Sequence, residues 1–243
     1  FPVMQLVRGE WRVYTKPLND PDVIPTTDAL LDVTTVNIEE NSRKTPVNYV
    51  LPPGVNRVID PSQTQVRQEN EQSLALKVND LSYADARAIY KNVKYDFRQY
   101  KRLQLCVHAE ALEGDNLLKN KDMSVFIRIG SDARDNYYEY EIPLDLTSPG
   151  ETDPNKVWPE NNKFDFEFKL LTNTKLKRNE ARRISGSTVS LTEEYAIYDP
   201  DKPNNRVAVK GNPSIGSVEV IMIGIRNNSK EVRSTEVWVN ELR

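Results

Sequence analysis

The run Val218 to Ile225, VEVIMIGI, is almost wholly apolar yet only eight residues long. A membrane-crossing helix needs about 18 consecutive apolar residues. A run this short, bounded by polar turns, reads instead as a strand covered on both faces at the centre of a sheet. Such a strand demands two layers of neighbours, and the rest of the chain supplies them as short alternating runs. In Lys163 to Leu170, Phe164, Phe166, Phe168 and Leu170 fall on one face, and Lys163, Asp165, Glu167 and Lys169 on the other. Arg102 to Glu110 turns Leu103, Leu105, Val107 and Ala109 inward and Gln104, Cys106, His108 and Glu110 outward. Met123, Val125, Ile127 and Ile129 share one face, as do Tyr138, Tyr140 and Ile142, and Gly130-Ser131-Asp132 begins the connection of this predicted hairpin. Glu236 to Arg243 reads as a closing strand entered through the turn Asn227-Asn228-Ser229-Lys230.

Fifteen prolines and nine glycines punctuate these runs at the spacing of strands and turns. The expected fold is all-β: an antiparallel β-sandwich, jelly-roll or galactose-binding-like, with minor helix. Helical spacing competes only in Tyr83 to Tyr90 and in Leu170 to Arg183. Residues 1–46, richer in proline and acid but with strand patterns at Trp11 to Tyr14 and Val33 to Ile38, read as an extended arm packed on a sandwich of residues 47–243. The opening FPVMQLVRGE has no initiator Met and no signal-peptide layout, which reads as an excised or processed piece.

Composition limits the function classes. A net charge of -3 gives no global field for a polyanion, so nucleic acid is not an expected partner. The one basic cluster, Lys175, Lys177, Arg178, Arg182 and Arg183, has no interleaved aromatics and reads as a solvated face. The single Cys106 excludes an internal disulfide and a cysteine-based zinc cluster. His108 is the only histidine and shares a strand face with Cys106; it reads as a surface or inter-sheet polar residue, since no orienting partner is identifiable. No carboxylate pair is singled out for acid–base work. Asp20 with Asp22, Asp132 with Asp135, and Asp199 with Asp201 read as turn residues that could also hold a structural Ca²⁺, though none is indicated. Gly211 to Gly216 is a turn rather than a phosphate loop, because Pro213 removes a donor. Arg128, Glu139 and Lys169, opposite apolar rows, fit a watery surface or a barrel lumen, and the irregular strands favour the former. Tyr137, Tyr138, Tyr140, Trp158 and Trp238 could form a sugar platform, but Tyr138 and Tyr140 sit on the expected core face. No catalytic, cofactor-binding or metal residue is assigned, and no enzymatic activity is expected.

Several phrases together resemble one family. They include TTVNIEENSRKTPVNYVLPPGVNR (Thr34 to Arg57), NEQSL (Asn70 to Leu74), DARAIYKN (Asp85 to Asn92) and DFRQYKRLQLCVHAE (Asp96 to Glu110). Further on come SVFIRIGSDARDNYYEYEIPL (Ser124 to Leu144), VWP (Val157 to Pro159), VKGNPSIGSVEVIMIGIRN (Val209 to Asn227) and EVWVNELR (Glu236 to Arg243). The chain is similar to an extramembrane segment of the SprA, or Sov, family. That resemblance implies a very large outer-membrane translocon of type IX secretion and gliding motility, exporting folded cargo that bears C-terminal signals. Implied partners are the rest of the translocon chain, a small outer-membrane barrel, a periplasmic plug protein and the secreted cargo. The segment would not span the membrane, and would serve on the cell surface or in the periplasm, with the outside preferred, as a cap, lining or docking surface. The alternative from the residues alone is a carbohydrate-binding-like sandwich module of a cell-surface protein.

Overall fold

A computed structural model describes residues 11–16, 18, 22–55 and 71–242. Among them, twelve strands form two antiparallel sheets. In chain order the elements are β1 (Arg12–Tyr14), β2 (Leu30–Asn37), α1 (Ile38–Asn41), β3 (Gln72–Leu81), β4 (Ala86–Tyr95), β5 (Arg102–Ala111), β6 (Met123–Gly130), β7 (Tyr137–Pro143), α2 (Pro154–Val157), β8 (Phe164–Glu167), α3 (Phe168–Arg183), β9 (Tyr195–Tyr198), β10 (Arg206–Lys210), β11 (Val218–Asn227) and β12 (Arg233–Leu242). One sheet has the order β1-β4-β11-β6-β7-β10-β9, the other β2-β3-β12-β5-β8. The chain is an antiparallel β-sandwich with minor helix. The stretches at residues 12–14 and 30–37 are edge strands of different sheets.

The inward rows of both sheets meet in one core. Leu74, Leu76 and Val78, Leu103, Leu105 and Val107, and Val237 and Val239 face Val125, Ile127 and Ile129, Tyr138 and Tyr140, and Ile221, Ile223 and Ile225. Period-2 alternation is therefore realised as two interdigitating layers. Tyr140 stacks on Phe166 across the gap, with ring centroids 4.2 Å apart, and its hydroxyl donates to Asp199 Oδ2 at 2.6 Å. The aromatic body thus packs while its polar tip is satisfied. β11 lies between β4 and β6 with Ile221, Ile223 and Ile225 in this core and Met222 in a second apolar cluster on its other face, as a two-sided strand must.

Two local expectations are corrected. Tyr83 to Tyr90 is a turn leading into β4, not helix. Ala84, at φ 55°, and Asp85, whose side chain accepts from Ala86 N and Arg87 Nη1, start the strand, and pairing with β11 outweighs the helix propensity of the alanines. The strand at Lys163 to Leu170 ends at Glu167. Phe168 opens α3, and Phe168 and Leu171 enter the core at helical spacing. From there α3 packs on β8, β9 and β10, closing the gap between the ends of the two sheets.

Gly224 is required where it stands. A Cβ there would lie 2.2 Å from Phe126 Cζ and 2.9 Å from Ala88 Cβ, so the Phe126 ring lies over bare backbone. Gly224→Ala is expected to destabilise the fold by about 1–3 kcal/mol through displacement of that ring, read as a lower denaturant midpoint at an unchanged slope.

Candidate functional site: two buried polar clusters on the outer sheet faces

Each sheet also buries part of its outer face. On the larger sheet, register sets Arg128 opposite Glu139, Phe126 opposite Glu141, and Arg206 opposite Glu141. Small neighbours in the same rows, Ala88, Gly224 and Ala208, leave room for long side chains to lie flat. Arg128 Nε donates to Glu139 Oε2 at 2.5 Å, and Arg206 Nη1 lies 3.1 Å from Glu139 Oε1. Arg226 pairs with both Glu139 and Glu141, Arg206 also with Glu194, and Ser124 donates to Glu141. The guanidiniums of Arg128 and Arg226 lie 5.1 and 4.8 Å from the Phe126 ring centre, and Arg128 lies 4.2 Å from that of Tyr137.

Glu139 is fully buried. Burial alone would raise its carboxyl, but Arg226, Arg128 and Arg206 outweigh that and hold it well below the usual carboxylate range. Burial likewise opposes the charge of Arg226, and Glu139 and Glu141 reverse the sign, raising it above the usual arginine value. Burial raises the Tyr137 hydroxyl, which donates to Glu194 at 2.8 Å. Arg128 and Glu139 are thus not on the watery face expected of them: Ala133, whose carbonyl accepts from Arg128, Tyr14 and Leu18 help to enclose this side of the sheet.

The smaller sheet carries the second cluster. β12 lies between β3 and β5, with Trp238 opposite His108 and Glu236 opposite Glu110. His108 stacks on Trp238 at 3.9 Å. Loop segments lay Tyr49 and Trp158 over them, and Trp158 Nε1 donates to Val50 O at 2.8 Å. The two glutamates, like charges in directly opposed positions, are bridged from above by Lys44, whose Nζ lies 2.5 Å from Glu110 Oε1 and 3.2 Å from Glu236 Oε1. Trp238 Nε1 donates to Glu236 Oε1 at 2.7 Å, and Lys44 lies 5.0 Å from the Trp238 ring centre. His108 Nδ1 lies 2.8 Å from Val157 O and 3.1 Å from Thr147 Oγ1, and Nε2 lies 3.4 Å from Glu110 Oε2.

His108 is therefore neither at the surface nor between the sheets: it is fully buried on the opposite face of β5, with Cys106 half-buried on the same face. The sugar-platform aromatics do not form one platform. Tyr138 and Tyr140 are in the inter-sheet core, Tyr137 is on the outer face of the larger sheet, Trp158 and Trp238 cover the smaller one, and all five are buried. The basic cluster is not wholly solvated. Arg178 is buried and donates to Gly211 O, and Lys175 donates to Pro213 O, so the turn at residues 211–216 is clamped to α3. Burial lowers both groups, aided by the charge of Arg182 on Arg178 and of Arg178 on Lys175.

The turn carboxylates are engaged locally. Asp132 Oδ1 accepts from the backbone of Arg134, Asp135 and Asn136. Burial would raise its carboxyl, but these donors and the Asn136 side chain hold it down at about 2. Asp135 pairs with Lys210, and Asp199 accepts from Tyr140 and from Asp201 N. Asp20 lies outside the described residues. Among the described residues, no three His, Cys, Asp or Glu side chains converge to hold a metal ion, and no helix is long and apolar enough to cross a membrane.

The sequence pattern of the SprA_N family, described as motility related/secretion protein, matches residues 1–243. The chain belongs to this family. No curated protein matches it. Among solved structures it is similar to a family 11 carbohydrate-binding module of the cellulosomal cellulase Lic26A-Cel5E of Clostridium thermocellum, at 10% identity and TM-score 0.46, covering 99% of this chain and 91% of that one. A second, a family 11 module from Clostridium thermocellum in complex with a β-1,3-1,4-mixed-linked tetrasaccharide, has 9% identity and TM-score 0.46, covering 100% and 91%. An exo-β-agarase has 10% identity and TM-score 0.40, covering 94% of this chain and 25% of that one. None of these carries over to the two clusters of the SprA_N chain.

The larger cluster generates a prediction. Glu139→Gln leaves three guanidiniums facing one fewer buried carboxylate and is expected to cost about 3–5 kcal/mol. Because the Glu139 carboxyl is depressed in the fold, its stabilisation is complete above the ordinary carboxylate range and is lost as pH falls toward the folded value. The gap between wild type and Glu139→Gln should hold from neutral pH to about pH 5 and narrow below about pH 4, as measured by urea unfolding across pH.

Proposed function

We propose that the chain is a structural and interaction module of a giant outer-membrane translocon for type IX secretion and gliding motility, acting as a cap, lining or docking surface without turning over a substrate. The observation that carries this reading is the match of the whole chain to the motility related/secretion family. The structure supports it physically. Charged groups lie on the outer faces of both sheets, yet in the two clusters they are spent on one another, which stiffens the walls of the sandwich. A rigid body with a polar exterior suits a surface past which other proteins must move without sticking.

Its partners on this reading are the rest of the translocon chain, a small outer-membrane barrel, a periplasmic plug protein and the secreted cargo. The segment works outside the membrane, on the extracellular or the periplasmic side, the extracellular one preferred. No cofactor takes part. The carbohydrate-binding alternative shares the sandwich architecture, but a sugar would need side chains other than Tyr138, Tyr140, Trp158 and Trp238, whose rings are packed inside.

The test is deletion of the segment within its full-length parent, paired with affinity capture of the internally tagged parent from detergent-solubilised envelope. Loss of cargo secretion and gliding, with a small barrel and a plug protein in the captured material, is the expected outcome. Intact secretion with only polysaccharide-linked material captured would overturn the translocon role in favour of sugar binding.

A further inference from the structure

The cluster over the smaller sheet holds an amine, a carboxyl and two proton-handling groups in one enclosed space. The Glu110 and His108 side chains are almost wholly buried, at 1% and 0% exposure, and Lys44 and Glu236 at 18% and 10%. Lys44 Nζ reaches one oxygen of Glu110, and His108 Nε2 faces the other. Glu236, held by the Trp238 indole N–H, contacts the same Lys44 Nζ on the strand beside Glu110. Rings of Tyr49, Trp158 and Trp238 wall the site. An ion pair alone needs neither the second carboxylate nor the histidine; a condensation between amine and carboxyl uses both.

We propose that Lys44 and Glu110 join in an intramolecular amide bond. Glu236 takes a proton from the Lys44 ammonium, and the freed amine attacks Glu110 Cδ. A C–N bond forms, and the C–Oε2 bond breaks as His108 delivers a proton from Nε2 to the departing oxygen. The ammonium carries three hydrogens: one stays on the amide nitrogen, the one taken by Glu236 passes to the departing oxygen as its second proton, and the last replaces the proton His108 gave up, so that one water leaves and Glu236 and His108 return to their starting forms. No oxidant, metal or cofactor enters the balance. Burial of Glu110 and His108 limits the water that would reverse the step. The reaction occurs once per chain and is self-modification. Its product ties the loop after α1 to β5 across 66 residues of sequence, a covalent closure that restricts the unfolded chain as other cross-links do.

The experiment is the intact mass of the purified, folded 243-residue chain with peptide sequencing. The expected result is a loss of one water, about 18 Da, and a branched peptide joining the segments that contain Lys44 and Glu110. Lys44→Arg keeps a cation against both carboxylates but offers no reactive amine, and should restore the full sequence mass while still melting cooperatively. Glu236→Gln should slow formation by about 100-fold or more if it is the proton acceptor. Full sequence mass in wild-type protein that unfolds cooperatively, after prolonged incubation, would overturn the proposal. A mass loss that persists in Lys44→Arg, or maps to another pair of residues, would do so too.

Discussion

The register of β12 between β3 and β5 governs much of what this molecule can do. Val237 and Val239 must point into the inter-sheet core, so Glu236 and Trp238 must point out of it, and pairing with β5 brings them against Glu110 and His108. A slip of one residue would expose the valines and bury the glutamate in the core, so the outer-face arrangement is enforced by the inner one. Two carboxylates side by side under aromatic rings are unfavourable until a cation arrives. Lys44, in the loop that follows α1, supplies it, and α1 is anchored by Asn37, whose side chain accepts from Glu39 N and Glu40 N.

The larger sheet solves the same problem differently. There the compensating charges come from the strands themselves: Arg128 from β6, Arg206 from β10 and Arg226 from β11 converge on Glu139 and Glu141 of β7. The network fixes the mutual alignment of strands that are distant in sequence, since Arg226 lies 87 residues from Glu139. A buried ion cluster of this kind is weak evidence for net stability, because desolvation offsets much of the attraction. Its stronger effect is on uniqueness: any other register would leave a guanidinium or a carboxylate buried without its partner.

The inner rows were legible from alternation alone, and the hairpin of β6 and β7, the two-sided β11 and the closing β12 all follow it. Helix α3 showed at its later residues, but its start at Phe168 was hidden because Phe164, Phe166 and Phe168 continue the strand pattern into the first helical residue. The outer faces were not legible. Alternation marks a charged row as wet, and only tertiary structure can show that a loop comes back to cover it. The pairing of Arg128 with Glu139 could have been found, since a hairpin about its own turn places them opposite each other. The meeting of Lys44, Glu110 and Glu236 could not, because it joins three segments far apart in the chain.

The two outer clusters also explain how a sandwich can be polar in composition yet rigid. A mean hydropathy of -0.64 implies abundant charge, and solvated charges contribute little to stiffness. Here a share of that charge is withdrawn into the walls, where low dielectric strengthens each pairing and holds long side chains in one geometry. The cost is sensitivity to the loss of any one partner. The return is a body whose strand alignment does not depend on the apolar core alone, because a sliding strand would have to break charge pairs on its outer face as well as unpack its inner one. Resistance to shear between strands then rests on paired charges across neighbouring strands, which oppose that motion directly.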